Sequence, residues 1–241
     1  MKLDGQGLLV LVDPVRTSGA EAAEIGRRAK AAGARGLLIG SSFDGAAQTH
    51  EVARALRQHA PGIPVALFPG SAMQLTDQVD VVLFLSLVSG RNPQYLIEEH
   101  VRAVPFLQEH PVATLSTAYI LIDGGRVTSV ESVSQTRPLP ADKPELAAAH
   151  ARAALLIGMQ AIYLEAGSGA ERPVPPDVIR ACRAAVPPPP PPGRPLFVGG
   201  GIRTPEQART ARAAGADFVV IGTIIEEGAT HDLKAFVEAV R

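Results

Sequence analysis

Short apolar runs that end in glycine, serine or aspartate recur along this chain of 241 residues and alternate with helical patterns. The first run, residues 7–12, reads Gly-Leu-Leu-Val-Leu-Val and lacks polar alternation, which is typical of a parallel strand buried on both faces. Residues 19–32 then place alanine and isoleucine at helical spacing, and Gly33 ends that pattern. This alternation predicts βαβ units and a parallel sheet.

Eight strands are predicted, seven of them followed by a helix, which indicates a (β/α)8 TIM barrel formed by a single domain over residues 1–241. A doubly wound sheet is the alternative, and it is disfavoured because the alternation fills the chain without leaving a second domain. The predicted strands are residues 7–12, 36–39, 64–68, 79–85, 112–122, 161–165, 196–198 and 218–221. The predicted helices are residues 19–32, 45–59, one that begins after Asn92, 144–157, 177–186, 205–214 and 231–240.

Four stretches depart from this repeat. Residues 69–78 are too few for a helix and two loops, so helix three should be missing or replaced by a loop, leaving a gap in the barrel wall. The hairpin signal Asp123-Gly124-Gly125 predicts a short strand at residues 126–130, inserted at the barrel mouth. The helix after Asn92 should end or kink before Pro105. Six prolines at residues 187–192 predict a stiff linker, with a recognition motif as the alternative.

Composition excludes several classes of protein. The formal net charge is -1, without the basic excess that nucleic-acid-binding proteins usually carry, so no nucleic acid partner is expected. No apolar run approaches the roughly 20 residues that span a membrane, and the N-terminus has no signal-peptide layout. The single cysteine, Cys182, cannot form an internal disulfide and is expected to be an inert thiol. These features predict a cytoplasmic protein.

Glycines follow three predicted strands and indicate a phosphate site. Ligands of TIM barrels bind where the strands end, and the loops after strands seven and eight commonly hold phosphate. Phosphate requires backbone N–H donors without side chains in the way. The residues that meet this requirement are Gly200, Gly201, Gly222 and Thr223, with Ser168 and Gly169 as further donors. Tight turns without a ligand are the alternative.

Two carboxylates end strands of the same barrel. Asp13 follows strand one, and with a hydroxyl from Ser41 or Ser42 it would suit Mg²⁺ shared with a phosphate-bearing substrate. A helix-capping aspartate is the alternative. Glu165 ends strand six and would act as a general base toward a hydroxyl of a bound phosphate ester, with a salt-bridged structural carboxylate as the alternative. The six histidines fall on helices or in loops away from the strand ends, so none is expected to be catalytic.

Several motifs together resemble the geranylgeranylglyceryl phosphate synthase family. The block at residues 163–169, Tyr-Leu-Glu-Ala-Gly-Ser-Gly, is specific to it and is similar to the second of its two main groups. The glycine turns at residues 198–202 and 221–223 also match, although many phosphate-binding barrels share them. Similar blocks occur in the same order at residues 12–14, 40–42, 68–71 and 89–93, so the resemblance covers nearly the whole chain.

The resemblance implies a Mg²⁺-dependent prenyltransferase. Such an enzyme joins a polyprenyl diphosphate, here expected to be geranylgeranyl diphosphate, to sn-glycerol 1-phosphate and forms an ether-linked prenylglyceryl phosphate in lipid biosynthesis. The family fold is a (β/α)8 barrel that lacks helix three. The resemblance also implies a homo-oligomer, either a dimer or a hexamer, and peripheral membrane contact for delivery of the product.

The same resemblance assigns roles to individual residues. Asp13 and Ser42 would hold Mg²⁺, and Glu165, with Tyr163, would be catalytic through removal of the proton from the attacking hydroxyl. Arg16, Arg91 and Tyr119 would serve the diphosphate and prenyl chain, in a groove lined by residues such as Leu83 and Leu85. The glycerol phosphate would contact Tyr163, Leu164, Glu165, Ala166, Gly167, Ser168, Gly169, Gly200, Gly201, Gly222 and Thr223.

One block departs from the family pattern and keeps other functions open. Family members commonly continue the first aspartate as Asp-Pro-Asp-Lys, whereas here it reads Asp13-Pro14-Val15-Arg16. Prenyl transfer to another phosphorylated acceptor, such as phosphoglycerate, is one alternative, and a non-catalytic barrel that binds isoprenoid or phosphate is another. A sugar-phosphate isomerase or aldolase is disfavoured because the four lysines lie away from the strand ends.

Overall fold

The computed structural model describes residues 5–186, 194–226 and 232–241. Eight parallel strands form a closed barrel in which each strand pairs with its sequence neighbours and β8 pairs with β1. The strands are β1 (Gly7–Val12), β2 (Gly36–Ile39), β3 (Val65–Leu67), β4 (Val81–Leu87), β5 (Ala113–Leu121), β6 (Ala161–Glu165), β7 (Leu196–Gly199) and β8 (Phe218–Ile221). The predicted TIM barrel is therefore confirmed, and the predicted linker at residues 187–192 lies outside the described residues.

Helices connect most of these strands and pack against the outside of the barrel. They are α1 (Gly19–Ala32), α2 (Ala46–His59), α3 (Glu99–Glu109), α4 (Ser129–Ser134), α5 (Pro144–Leu156), α6 (Pro176–Ala185), α7 (Pro205–Ala213), α8 (Thr223–Glu226) and α9 (Leu233–Ala239). Among the described helices, none is both long and apolar enough to cross a membrane.

Strand side chains alternate between two buried layers. In β6, Tyr163 packs in the cluster inside the barrel, whereas Ile162 and Leu164 pack in the cluster between the barrel and the helices. Because both faces are buried, most of the strands are largely apolar, as predicted from the run at residues 7–12. Strand β5 is the exception, since it begins with the exposed residues Ala113 and Thr114. Side chains that face inward near the carboxyl ends of the strands are thereby directed toward the barrel mouth.

The wall lacks helix three, as predicted. A single 3-10 turn, Ala72–Gln74, stands between β3 and β4. The chain then forms a π-helical segment, Gln94–Glu98, whose Gln94 N–H donates to the Asn92 side chain at 3.1 Å, and continues into α3. This segment and α3 lie beside β4, where helix three would otherwise cover the barrel.

Two local predictions differ from the structure, one of them in part. Helix α3 runs through Pro105 to Glu109 instead of ending before the proline. The kink that was the alternative stays a prediction. The carbonyl that loses its donor belongs to Val101, and solvent can satisfy it because Val101 is 64% exposed.

The predicted strand at residues 126–130 is replaced by helix α4. The end of β5 is already paired, since Leu139 N–H donates to Leu121 O at 2.9 Å and Asp123 N–H donates to Leu139 O at 2.9 Å. A returning hairpin strand therefore has no free edge to pair with. Instead, the insertion binds the loop after β6, because Gly124 O accepts from Glu171 N–H and Arg172 N–H at 3.0 Å each.

Candidate active site

A cavity of about 1440 Å³, including the part open to solvent, occupies the barrel mouth and extends over β4 to its outer side. The strand ends and their loops form the mouth. The outer part lies in the gap left by helix three. The mouth is lined by Asp13, Ser41, Ser42, Tyr119, Tyr163, Glu165, Ser168, Gly169, Gly200, Gly201, Arg203, Gly222 and Thr223. The cavity thus brings together residues from β1, β2, β5, β6, β7 and β8, as the sequence predicted for a barrel site.

Glu165 is a buried carboxylate at the C-terminal end of β6, and only 5% of the residue is exposed. Burial raises the pKa of Glu165 to about 7, because the charged form loses its hydration. A hydrogen bond from Gly167 N–H to Oε1 at 2.6 Å and the neighbouring Tyr163 hydroxyl oppose this rise without cancelling it. No basic side chain of the described chain is paired with this carboxylate, so it can accept or release a proton near neutral pH.

Tyr163 precedes Glu165 by two residues in β6, so both side chains point into the barrel. Its ring stacks against Phe68 and Phe197, with centroids 4.7 and 5.8 Å away. Its buried hydroxyl has no hydrogen-bond partner of standard geometry in the described chain, although it lies beside the Glu165 carboxylate. Burial, and secondarily the charge of Glu165, raise the pKa of Tyr163 well above its usual value. The hydroxyl is therefore a neutral donor that a ligand or Glu165 can engage.

The turn after β7 can be built only with glycine. A Cβ on Gly199 would lie 2.5 Å from the Tyr163 hydroxyl oxygen and 3.0 Å from Glu165 Oε2. At Gly200, with φ +80°, it would overlap Glu165 Oε1 and lie 2.7 Å from the amide nitrogens of Ala166 and Gly167. The backbone of β7 thus runs directly against the carboxylate and its supporting turn.

Six backbone amides at the mouth are placed to bind an anion. Within the part of the chain that the structure describes, none of them donates a hydrogen bond to another group, and all six residues line the cavity. They belong to Ser168, Gly169, Gly200, Gly201, Gly222 and Thr223. We call this set the amide cradle. It has the free N–H groups and the absence of bulk that phosphate binding requires.

Three residues of the block at 163–169 do not contribute to the cavity wall. Leu164 and Ala166 pack in the outer layer, because strand alternation turns them away from the barrel interior. Gly167 uses its amide to support Glu165, and Thr128 packs against it closely enough to exclude a Cβ. These three residues therefore support the turn from outside the cavity. The residues of the block that face the cavity are Tyr163, Glu165, Ser168 and Gly169.

Asp13 ends β1 on the opposite side of the mouth. Its Oδ1 accepts from Val15 N–H at 2.9 Å, and its carboxylate also accepts from the Ser41 hydroxyl. Burial raises the pKa of Asp13, opposed by these bonds and by the charge of Arg16. Ser42 also lines the cavity, so one carboxylate and two hydroxyls stand together. These hard oxygen donors fit Mg²⁺ with most of its ligands supplied by water or substrate. Among the described residues, no group of three His, Cys, Asp or Glu side chains could hold a metal.

The two arginines predicted for the diphosphate do not line the cavity. Arg16 is exposed and acts on the mouth through its charge on Asp13. The Arg91 guanidinium donates to Gly90 O at 2.6 Å, within its own loop. That loop has a structural role, because Ser89 Oγ accepts from Leu121 N–H at 3.0 Å and Asn92 Nδ2 donates to Ser134 O at 2.9 Å.

The outer part of the cavity is an apolar groove over both faces of β4. Leu83, Leu85 and Tyr119 line its inner side, as expected for the groove, while Val82 and Phe84 line it from the outer face of the same strand. The far wall comes from the segment at 94–109 and from α4. It is formed by Tyr95, Glu99, His100, Ala103, Val130 and Val133.

Sequence reasoning missed this far wall and also Arg203. His100 lies on a helix, as predicted, but its ring faces the groove, with its centroid 4.2 Å from that of Phe84. Burial lowers the pKa of His100, and its buried Nε2 has no hydrogen-bond partner in the described chain. Cys182 is fully buried between the layers, where burial raises its pKa to about 12, so the predicted inert thiol is confirmed.

Comparison with known proteins shows which proteins share this sequence and fold. The geranylgeranylglyceryl phosphate synthase of Aeropyrum pernix is 41% identical over 219 residues, which cover 90% of this chain and 85% of that protein. The synthase of Chitinophaga pinensis is 36% identical over 233 residues, or 96% of this chain and 88% of that protein. The crystal structure of (S)-3-O-geranylgeranylglyceryl phosphate synthase from Thermoplasma acidophilum, in complex with its substrate sn-glycerol-1-phosphate, matches with a TM-score of 0.88 and 30% identity, covering 98% of this chain and 93% of that one. Residues 2–240 match the model of the PcrB family. The chain therefore belongs to the PcrB family.

Proposed function

We propose that this protein transfers a prenyl group from a polyprenyl diphosphate, with geranylgeranyl diphosphate as the expected donor, to sn-glycerol 1-phosphate. One observation carries the proposal: the buried carboxylate of Glu165 lies between the amide cradle and an apolar groove within one cavity, and its burial raises its pKa to about 7. A phosphate ester fits the first part, a polyprenyl chain fits the second, and the carboxylate lies where the two substrates would meet.

The amide cradle positions the acceptor. With its phosphate on the six amides, the short glycerol carbon chain reaches toward Glu165, which adjoins Gly199 and Gly200. Glu165 accepts the proton of the attacking hydroxyl, and the Tyr163 hydroxyl steadies the carboxylate. The acceptor oxygen then bonds to the first carbon of the prenyl chain, and the bond between that carbon and the diphosphate oxygen breaks. Holding both reactants in one geometry supplies much of the rate enhancement.

Asp13, with the hydroxyls of Ser41 and Ser42, would hold Mg²⁺. The metal would supply positive charge that neutralises the leaving diphosphate. The structure pairs Asp13 with Ser41 directly, so Ser41 either joins Ser42 as a ligand or orients the carboxylate. The charge of Arg16 beside Asp13 would attract the same diphosphate. Arg91 would reach the diphosphate only by leaving its backbone partners.

The apolar groove would hold the prenyl chain. It begins at the mouth beside Tyr119 and continues between β4 and the segment at 94–109, as far as Ala103. Its walls exclude water from the allylic cation that develops during transfer. Assembly as a dimer or hexamer and peripheral contact with a membrane stay predictions, as does a cytoplasmic location.

Product formation tests the proposal. The protein is incubated with Mg²⁺, labelled sn-glycerol 1-phosphate and prenyl diphosphates of several lengths, and parallel reactions receive chelator or phosphoglycerate as the acceptor. We expect an ether-linked product that requires Mg²⁺ and prefers glycerol phosphate. If product forms only with phosphoglycerate, the acceptor is phosphoglycerate and the proposed acceptor is wrong. If no combination of prenyl diphosphate and acceptor gives product, the proposal is overturned.

A variant separates chemistry from binding. Glu165→Gln keeps the size of the side chain and an oxygen that can accept from Gly167 N–H, but it cannot take a proton. We expect turnover to fall by about 10²- to 10⁴-fold, the range typical of a lost general base. The affinity for glycerol phosphate, measured by calorimetry, should change by less than about threefold. Retained turnover would exclude Glu165 as the base.

A further inference from the structure

We propose that Arg203 binds the acceptor's phosphate and supplies the positive charge that the amide cradle lacks. Among the described residues, Arg203 is the only arginine or lysine on the cavity wall. It follows Gly200 and Gly201 in the turn after β7, so its side chain starts at the rim of the cradle. The inference rests on the proposed function only in taking the anion to be the phosphate of a glycerol phosphate.

The charges of the side chains at the mouth favour a cation beside the amide cradle. The other charged groups at the mouth are Asp13 and Glu165, both carboxylates. A phosphate dianion beside Glu165 would raise the cost of ionising a base whose pKa burial has already raised. The amides supply only partial charges, whereas a guanidinium supplies a full charge and two parallel donors that match phosphate oxygens.

The local fold shows why the side chain, rather than the helix terminus, must provide this charge. Helix α7 begins with a capping box that uses its own first amides. Gln207 Oε1 accepts from Arg203 N–H at 2.7 Å and from Thr204 N–H at 3.1 Å, and Thr204 Oγ1 accepts from Gln207 N–H at 3.2 Å. These amides are therefore occupied, and the same bonds fix the backbone from which the Arg203 side chain extends.

The test compares Arg203→Gln and Arg203→Lys with Arg209→Gln. Arg209 is an exposed arginine of α7, the helix that follows Arg203; it pairs with Glu206 and does not line the cavity, so it controls for loss of one positive charge near the site. Inorganic phosphate and sn-glycerol 1-phosphate are titrated into each protein by calorimetry in the absence of prenyl diphosphate. KM for both substrates and kcat are then measured. Circular dichroism and thermal unfolding establish that each variant is folded.

We expect Arg203→Gln to weaken binding of phosphate and of glycerol phosphate by about 10- to 100-fold, the range for a lost hydrogen bond to a charged group. Arg203→Lys should retain part of this affinity, because it keeps the charge but loses the paired donors. The KM for prenyl diphosphate should stay within about twofold, and Arg209→Gln should resemble the unmodified protein.

The outcomes distinguish this inference from the proposed function. Unchanged phosphate affinity in Arg203→Gln, or a larger effect on the KM for prenyl diphosphate, overturns the role of Arg203 even if the enzyme makes ether product. Loss of phosphate affinity in a protein that transfers no prenyl group supports Arg203 as the phosphate ligand while the proposed function fails.

Discussion

The pKa of Glu165 predicts that the folded protein loses stability as the pH rises from about 4.5 to above 7. The unfolded chain releases the Glu165 proton near the ordinary value of 4.5, whereas the folded protein holds it until about 7. Between these values the folded state binds more protons, so the free energy of unfolding falls with rising pH. The two values differ by about 2.5 pH units, and each unit is worth about 1.4 kcal/mol, so the full loss is about 3 kcal/mol.

Urea unfolding at pH 5, 6, 7 and 8 measures this effect. Other groups titrate in the same range, so the relevant quantity is the difference between the unmodified protein and Glu165→Gln. That difference should favour Glu165→Gln by about 2.5 kcal/mol more at pH 8 than at pH 5, because the amide never becomes charged and about 1 kcal/mol of the loss has already occurred by pH 5. Glu171→Gln serves as the control for loss of one carboxylate, since Glu171 is exposed on the loop after β6 and lies outside the cavity. If the difference in unfolding free energy between the unmodified protein and Glu165→Gln stays constant with pH, the conclusion that Glu165 is a buried carboxylate without a basic partner is refuted.

Three further predictions concern catalysis, the cradle and the groove. If Glu165 is the base, log(kcat/KM) should rise with a slope of one as the pH increases toward about 7 and then level off; activity that is flat from pH 5 to 8 would contradict this. Gly200→Ala should destabilise the fold by about 2–4 kcal/mol and abolish glycerol phosphate binding, because its Cβ overlaps Glu165 Oε1 at a positive φ. Gly158→Ala, also at a positive φ but with no atom within 4 Å of the added Cβ, should cost only about 1–2 kcal/mol in urea unfolding. Ala103→Phe should fill the groove and shift product analysis toward shorter prenyl chains, whereas Val104→Phe on the exposed side of the same helix should leave chain length unchanged.

The strands and the missing helix were predictable because local sequence determines both. A strand buried on both faces needs a continuous apolar run, and runs such as residues 7–12 and 218–221 contain little else. The gap depends only on the number of residues between β3 and β4. Thirteen residues separate β3 from β4 in the structure, and ten, residues 69–78, separate the predicted strands. Both numbers are too small for a full crossover helix and two loops.

The insertion after β5 was mispredicted because its structure depends on distant partners. The Asp123-Gly124-Gly125 turn forms, with Gly125 N–H donating to Asp123 Oδ1 at 2.8 Å. Whether a strand follows depends on a free edge, and Leu139 occupies that edge from sixteen residues away in the sequence. A sequence signal for a turn therefore predicts the turn itself, but it does not determine whether a strand or a helix follows.

The site residues also divide into those that local sequence predicts and those that depend on distant partners. Gly200 and Gly201 of the amide cradle could be recognised because each combines a positive φ with close neighbours that exclude a side chain. Gly169 has the positive φ alone, and Gly222 was recognised only from its position after strand eight.

The residues alone left Ser41 and Ser42 open, because strand alternation ends at Ile39 and the following loop sets which hydroxyl meets Asp13. The family resemblance assigned Ser42, whereas Ser41 is the hydroxyl that donates to Asp13 in the structure. Arg203 was missed because its exposure to the cavity depends on the path of the loop between β7 and α7, and Ala103 because its exposure depends on how α3 packs. The spacing of residues within these segments reveals neither.

The base and the amide cradle form one unit rather than two adjacent sites. Glu165 Oε1 holds the amide of Gly167, so the carboxylate fixes the turn that presents the amides of Ser168 and Gly169. The space that a side chain at Gly200 would need is filled by the same carboxylate, so the turn after β7 must approach it as bare backbone. Movement of the base would therefore displace donors on both sides of the cradle. A phosphate bound to those amides is in turn held at a fixed distance from the base, which explains how a cavity with few polar side chains can orient a small acceptor toward one carboxylate.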